Sequence, residues 1–257
     1  MAQFHSLVVR DIRRETPDCV SIAFDVPEQL ESQFRFVAGQ NITLRVFRDG
    51  EELRRSYSIC SSPLEKELRV AVKRQELGKF STFANEGLKV GDKIDVLPPS
   101  GRFILHKRKE LFPGAGNDMD FSAGEAATAS PAEAKKTNAF NYLAFAAGSG
   151  ITPVISIIKT ILVREPESNF TLVYGNRNRA GIIFREQLEA LKNRYMERLS
   201  IHHILSREET DAPINHGRID PPKCETIARY FVDPLSMDGI FLCGPEEMIF
   251  SIKKWLE

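Results

Sequence analysis

Residues 142–163, YLAFAAGSGITPVISIIKTILV, restrict the fold more than any other stretch of the chain. The run from Tyr142 to Gly148 does not alternate apolar with polar residues, so it reads as a strand buried on both faces. Strands of that kind belong to parallel sheets covered by helices. The following SGITPVISIIKTILV reads as a helix, with Pro153 expected at the first helical position behind a Thr152 cap. The alternation then continues. FTLVYGN predicts a strand, Phe184, Leu188, Leu191 and Tyr195 fall near helical spacing, and LSIHHILS predicts another strand. A capped helix starts at Asp220-Pro221, and GIFLCG leads into the helical PEEMIFSIKKWL.

The first hundred residues follow a different rule. FHSLVVRDIRR, CVSIAFDVP, NITLRVF, RRSYSIC, ELRVAVKRQ and DKIDVLPPSG are short β-rich runs separated by Gly, Pro and charged clusters. Such spacing predicts an antiparallel barrel or sandwich, with a short helix inside GKFSTFANEGLKVGD. Between the halves, residues 106–138 are rich in Ala, Gly, Ser and charge and show no apolar period, which predicts a flexible insertion or linker. Lys107 to Lys109 within it read as solvated charges. The expected organisation is a β-barrel domain at 1–105, the insertion at 106–138 and a parallel-sheet α/β domain at 139–257.

Composition narrows the function. The 257 residues carry 35 basic and 35 acidic side chains, and the zero net charge removes the simplest argument for a nucleic-acid or membrane-surface partner. Cys19, Cys60, Cys224 and Cys243 are scattered, with no C-x-x-C pair, so no metal site can be read from them. No apolar stretch approaches the roughly 18 residues of a membrane span, and no secretory leader is visible. A reduced, cytoplasmic setting with free thiols is expected.

Four short motifs carry the chemistry, and each has a bland alternative. Gly148 and Gly150 lie between a strand and a helix N-terminus, where backbone N–H groups can meet a phosphate, although a G-x-G there can equally be a turn. Cys243-Gly244-Pro245 repeats that arrangement at the same sheet edge, while an isolated cysteine usually fills a core. GKFST at 78–82 suits a second pyrophosphate or a simple helix cap. In RRSYSICSSP at 54–63, Arg55 can fork onto a phosphate, Tyr57 can stack on a flat ring and Ser58 can bond a ring nitrogen. The other reading makes Arg55 an edge-strand charge and Tyr57 a core residue.

Taken in order, these motifs resemble those of the ferredoxin–NADP reductase superfamily, and the resemblance spans the chain outside 106–138. It implies an FAD-binding β-barrel followed by an NAD(P)-binding α/β domain. Arg55 would hold the FAD phosphate, Tyr57 would stack on the isoalloxazine, and Ser58 would sit beside its N5. Val72 and Lys73 would line the adenosine side with their backbone, and Gly78, Phe80, Ser81 and Thr82 would cradle the pyrophosphate. Gly148, Gly150 and Thr152 would hold the nicotinamide nucleotide, with Asn176, Gly244 and Pro245 adding to the cofactor site. Cys243 would lie near the hydride-donating carbon, so Ser58 and Cys243 are the expected catalytic pair.

Ser206 and Arg207 resemble the hydroxyl–arginine pair that grips a 2′-phosphate in relatives using NADP, and Arg177 and Arg185 could add charge. NADPH is therefore the expected donor ahead of NADH. YGNRN, FREQLEALKNRY and HHILSRE are most similar to the reductase subunits of bacterial phenylacetyl-CoA epoxidase systems. Such reductases continue into a plant-type [2Fe–2S] domain whose C-x4-C-x2-C set is absent here. The chain is then a piece that stops before that domain, or the cluster resides on another protein. The expected function is electron transfer from NADPH through FAD to an iron–sulfur carrier and a partner oxygenase, the phenylacetyl-CoA epoxidase. A reductase of ferredoxin or flavodoxin acting alone is one alternative. A non-enzymatic nucleotide-binding module is another.

Overall fold

A computed structural model describes residues 3–48, 50–104 and 139–257; the expected insertion at 106–138 lies outside the described residues, as do Lys107 to Lys109. The first half is a six-stranded antiparallel sheet. Its strands are β1 (His5–Thr16), β2 (Cys19–Asp25), β3 (Asn41–Arg48), β4 (Glu51–Ser58), β5 (Leu68–Lys73) and β6 (Lys93–Val96). They lie in the order β4-β3-β6-β1-β2-β5, so β4 and β5 are the edges. A bridge between Ile59 and Val70, with Cys60 N–H donating to the Arg69 carbonyl at 2.8 Å, brings those edges together as a barrel. Alternation along β2 and β5 turns Val20, Ile22, Val70 and Val72 into the barrel, where they are buried with Ile42, Leu44 and Val96. Two short helices, α1 (Glu31–Phe34) and α2 (Lys79–Glu86), complete this half, and Phe80 of α2 enters the same core.

The opposite face of β2 and β5 carries small residues. Cys19 and Ala71 point outward there, and with Ala38 and Cys60 they join the apolar cluster of the second half. That half is a parallel sheet of β7 (Asn141–Ala147), β8 (Asn169–Asn176), β9 (Leu199–Leu205) and β10 (Gly239–Cys243), in the order β10-β7-β8-β9. The crossover helices are α3 (Ile151–Arg164), α4 (Arg185–Arg194) and α5 (Pro221–Tyr230), and α6 (Glu246–Leu256) follows β10. Tyr142, Ala144 and Ala146 of β7 pack on the α3 side, whereas Leu143 and Phe145 pack towards α5 and α6. The apolar run is buried on both faces, as its pattern requires.

The start of α3 differs from the expectation. Gly148–Gly150 forms a 3-10 turn that runs directly into the helix, and Gly150 is already helical (φ −61, ψ −12) at the N-cap. No extended residue is left to place a capping side chain, so Thr152 is not the cap and Pro153 falls at the third helical position. The cap at Asp220 is observed, its carboxylate accepting from Lys223 N–H at 2.9 Å.

On the barrel, the buried Arg69 guanidinium donates to Asp11 of β1, to Glu67 (2.8 Å) and to the Ser21 hydroxyl (2.9 Å). Hydrogen bonding to Arg69 is the largest reason that Asp11 and Glu67 are held below the usual carboxylate range. A depressed carboxylate favours the fold above its unfolded pKa, and that contribution is lost as pH falls through the folded value. Urea midpoints should therefore be flat from neutrality to about pH 5 and fall below about pH 4. Glu67→Gln should lower the midpoint at neutral pH and converge on the wild type in acid.

Candidate functional site

Because β10 and β7 are neighbours, the turns that follow them meet at the carboxyl edge of the sheet. Gly148 takes a left-handed backbone (φ 53), and the position a Cβ would occupy faces open space. At Gly150 the constraint is contact instead, since a Cβ there would overlap the Cys243 carbonyl. A Cβ on Gly244 would fall 2.6 Å from the Met248 Cε and 3.1 Å from the Ala147 Cβ. The two turns thus touch through backbone at Gly150, which has no room for a side chain. Tyr174 of β8, fully buried, donates its hydroxyl to the Gly148 carbonyl at 2.9 Å. The buried Thr152 hydroxyl donates to the Ser149 carbonyl at 2.9 Å, so Thr152 fixes the turn from inside.

Cys243 ends β10, opposite Ala146, and is partly buried with its thiol pushed above the usual range by that burial. It is a neutral S–H at physiological pH. Pro245 stands at the N-cap of α6, whose first turn carries Glu246 and Glu247. All four cysteines are free thiols. Cys60 is fully enclosed, as a small core residue should be.

At the other end of the sheet edge, β8 and β9 stay paired beyond their last residues. Ser206 N–H donates to the Asn176 carbonyl (3.0 Å) and Arg207 N–H to the Arg177 carbonyl (2.8 Å). Arg179 and Arg185 are paired with Glu208 and Glu189. Arg177 and Arg207 are exposed, and among the described residues neither has a carboxylate partner. Two unneutralised guanidiniums thus project from adjacent backbone next to Ser206. The buried Asn176 amide lies beside the Tyr174 hydroxyl, yet its Nδ2 finds no acceptor among the described residues. A buried donor without a partner is costly.

The barrel supplies the second half of the site from edge strand β4. Tyr57 rests against the barrel core, its ring 5.6 Å from that of Phe80. Burial pushes its phenol up to about 12 against a small opposing pull from Arg55, so the ring is neutral. Arg55 is exposed, donates to the Arg54 carbonyl at 2.7 Å and has no carboxylate partner among the described residues. Arg54 differs, being paired with Glu52 at 2.7 Å. Ser58 closes the strand opposite Asn41 and is partly exposed.

In α2, Gly78 is the N-cap, and a Cβ there would lie 2.5 Å from the Ser81 Oγ. The Ser81 hydroxyl donates to the Gly78 carbonyl and accepts from Gln75 N–H, both at 3.0 Å. With Ser81 so engaged and Phe80 in the core, this turn can offer a pyrophosphate its helix N-terminal N–H groups. Thr82 N–H is already bonded to the Gly78 carbonyl at 2.9 Å. The Val72 carbonyl accepts from Asn85, and the Lys73 ammonium lies 3.5 Å from Asp18. β5 packs beside the Gly148–Gly150 turn, which brings the two halves of the site together. An unpaired arginine, a neutral ring, free helix N–H groups and an orphaned amide fit a flavin dinucleotide and a nicotinamide nucleotide.

Comparison with known proteins agrees with that geometry. The oxidoreductase FAD-binding domain family matches residues 6–104, and the oxidoreductase NAD-binding domain family matches residues 145–254. The chain is 41% identical over 249 residues to one component of the 1,2-phenylacetyl-CoA epoxidase of Escherichia coli, covering 97% of this chain and 62% of that protein. The chain carries an oxidoreductase FAD-binding domain followed by an oxidoreductase NAD-binding domain, with the ferredoxin–NADP reductase fold. It is also 32% identical over 241 residues to the ferredoxin reductase component of the 3-ketosteroid-9-alpha-monooxygenase of Rhodococcus rhodochrous, covering 93% and 57%. A ferredoxin NADP+ reductase of Neisseria gonorrhoeae, solved with bound FAD and NADP, shares the fold with a TM-score of 0.72 at 20% identity, over 100% of this chain and 91% of that one. The chain spans about three-fifths of the length of the curated relatives named here.

The expected superfamily and its two-domain fold are thus found, as is the pairing of FAD- and NAD-binding oxidoreductase domains. Sequence reasoning missed Tyr174 as a support of the glycine turn; it stood two residues before Asn176 in a strand read only as apolar. Gly150→Ala should destabilise the α/β half by about 1–3 kcal/mol, because the Cys243 carbonyl must give way. Tyr174→Phe should cost about 1–2 kcal/mol by leaving the Gly148 carbonyl without its donor. Urea unfolding of both variants checks this.

Proposed function

We propose that this chain is a flavin-dependent reductase that takes electrons from NADPH and passes them through an iron–sulfur carrier to an oxygenase, with phenylacetyl-CoA epoxidase as the specific acceptor system. The observation that carries the reading is the interlock of the Gly148 and Cys243 turns beside a strand bearing Arg55, Tyr57 and Ser58. FAD, when bound, would accept an electron pair from a nicotinamide and release it as single electrons. The chain's part is binding, orientation and electrostatics.

Arg55 would hold phosphate with donors that no carboxylate among the described residues competes for. Tyr57, pinned by Phe80, would give the flavin ring an uncharged face to stack on. Ser58 would offer its hydroxyl to the ring edge. Gly78 and the start of α2 would hold the pyrophosphate, and Val72 and Lys73 would border the adenosine with backbone. Gly148, Gly150, Thr152, Gly244 and Pro245 would shape the nicotinamide pocket. Cys243 would meet the nicotinamide as a small neutral thiol. Asn176, Ser206, Arg177 and Arg207 would take the adenosine phosphate end. A reduced cytoplasmic setting suits the four free thiols. The phenylacetyl-CoA assignment rests on the 41% identity to the epoxidase component.

The purified chain should be yellow or take up added FAD, and mixing with NADPH should bleach the flavin absorbance. A colourless protein that FAD does not reconstitute would refute the reading. Arg207→Ala should raise the KM for NADPH about tenfold, the loss expected of one charge-assisted contact, and leave that for NADH nearly unchanged. Equal losses for the two donors would remove the phosphate contact.

A further inference from the structure

We propose that Ser156, supported by a second hydroxyl contact between Ser62 and Thr160, is the positioning residue that holds the nicotinamide turn at a fixed separation from the flavin strand. The inference rests on the reductase reading, and it concerns residues that touch neither cofactor in that reading. Ser156 lies one helical turn after Thr152 on α3, fully buried, and its hydroxyl donates to the Ser61 carbonyl at 2.6 Å. Ser61 stands three residues after Ser58. One short hydrogen bond therefore ties the helix that begins at the Gly148–Gly150 turn to the segment that ends the flavin strand.

Each end of that bond is itself fixed. The Ser61 hydroxyl donates to the Glu67 carbonyl (2.6 Å) and accepts from Arg69 N–H (3.1 Å), so the acceptor cannot swing. The Thr160 hydroxyl donates its one proton to the Ser156 carbonyl at 2.7 Å. In its 2.9 Å contact with Ser62, Thr160 is then the acceptor and Ser62 the donor. Ser62 also caps the 3-10 turn Pro63–Glu65, where its hydroxyl accepts from Leu64 N–H and Glu65 accepts from Ser62 N–H. Lys159 adds an ion pair to Glu65 at 3.0 Å. On the same helix, Ile157 reaches Gly39, where a Cβ would lie 3.2 Å from the Ile157 Cδ1.

Domains joined by a small polar interface normally move against each other. Here two hydrogen bonds made by side-chain hydroxyls, and an ion pair, fasten residues 61–65 to a helix seated in a continuous apolar cluster. A register shift of that helix would carry the glycine turn with it. A misplacement near 1 Å can cost on the order of a hundredfold in rate without weakening either binding site.

The test compares Ser156→Ala and Thr160→Val with wild type, and with Thr160→Ser, which keeps the hydroxyl. The two removing variants should retain FAD content and the KM for NADPH within about twofold, while flavin bleaching in single turnover slows about 10–100-fold. Thr160→Ser should bleach at the wild-type rate. Independently, hydrogen–deuterium exchange of the flavin-free chain should rise at residues 59–65 and 148–160 in the removing variants, with the remaining strands unchanged. Unchanged bleaching in both removing variants overturns the proposal, as does a loss of FAD or a rise in KM that accounts for the whole slowing. Unchanged exchange in both segments overturns it as well. A wild-type chain that binds FAD but is not bleached by either nucleotide overturns the reductase reading, and the exchange measurement then decides the fastening alone.

Discussion

The seating of α3 on the outer face of the barrel is the contact on which the molecule depends. The helix is apolar on nearly every side, and its residues share one cluster with Cys19, Ala38, Cys60 and Ala71 from the other half. Those four residues are small, so the helix approaches closely, and Gly39 permits the same approach from the loop before β3. Gly39 also has no room for a Cβ beside the Phe103 carbonyl, which locks the connecting segment onto the barrel. Burial alone would leave the register of the helix open, since apolar contact is non-directional. The buried hydroxyls at the edge of the contact supply direction, and each has its partner.

Much of this was legible in the sequence because the two halves obey different periodicities. The short alternating runs before residue 100 become the barrel, and the apolar run at β7 is buried on both faces as its lack of alternation demands. Arg55, Tyr57 and Ser58 fall on one strand, β4, as the run RRSYSIC predicts. Hydrogen-bond geometry was not legible. Thr152 looked like a cap, since Pro153 follows it, but the glycine turn had already adopted helical backbone. The pairing of Ser61 with Ser156 was not legible, because a contact across 95 positions leaves no local trace. The spacing of Ser62 and Glu65 was the one available sign, being that of a capping box.

Under the proposed function, the groups that would face the reacting centre share one electrostatic property. Tyr57 and Cys243 are both held neutral by burial, while the unpaired cations stand at the rims that would meet phosphates. Charge is thus placed where anions bind and withheld where a hydride would pass. A fully buried charge near the ring would be expensive to desolvate, and none is needed, because the cofactor carries the redox chemistry.

The interlock of Gly150 with the Cys243 carbonyl divides the sheet edge into two parts with different tolerance for change. Where Gly150 meets the Cys243 carbonyl the two backbones touch, so a side chain added at Gly150 displaces a strand end, whereas one at Gly148 would face open space. At β8 and β9 the tips are joined by main-chain hydrogen bonds and the Arg179–Glu208 ion pair, and the side chains of Arg177 and Arg207 are exposed. Under the proposed function, donor preference would be set at those tips and hydride geometry at the Gly150–Cys243 contact. An engineer, or natural selection, could then exchange one dinucleotide for another by editing two exposed side chains while the reacting half stays in place.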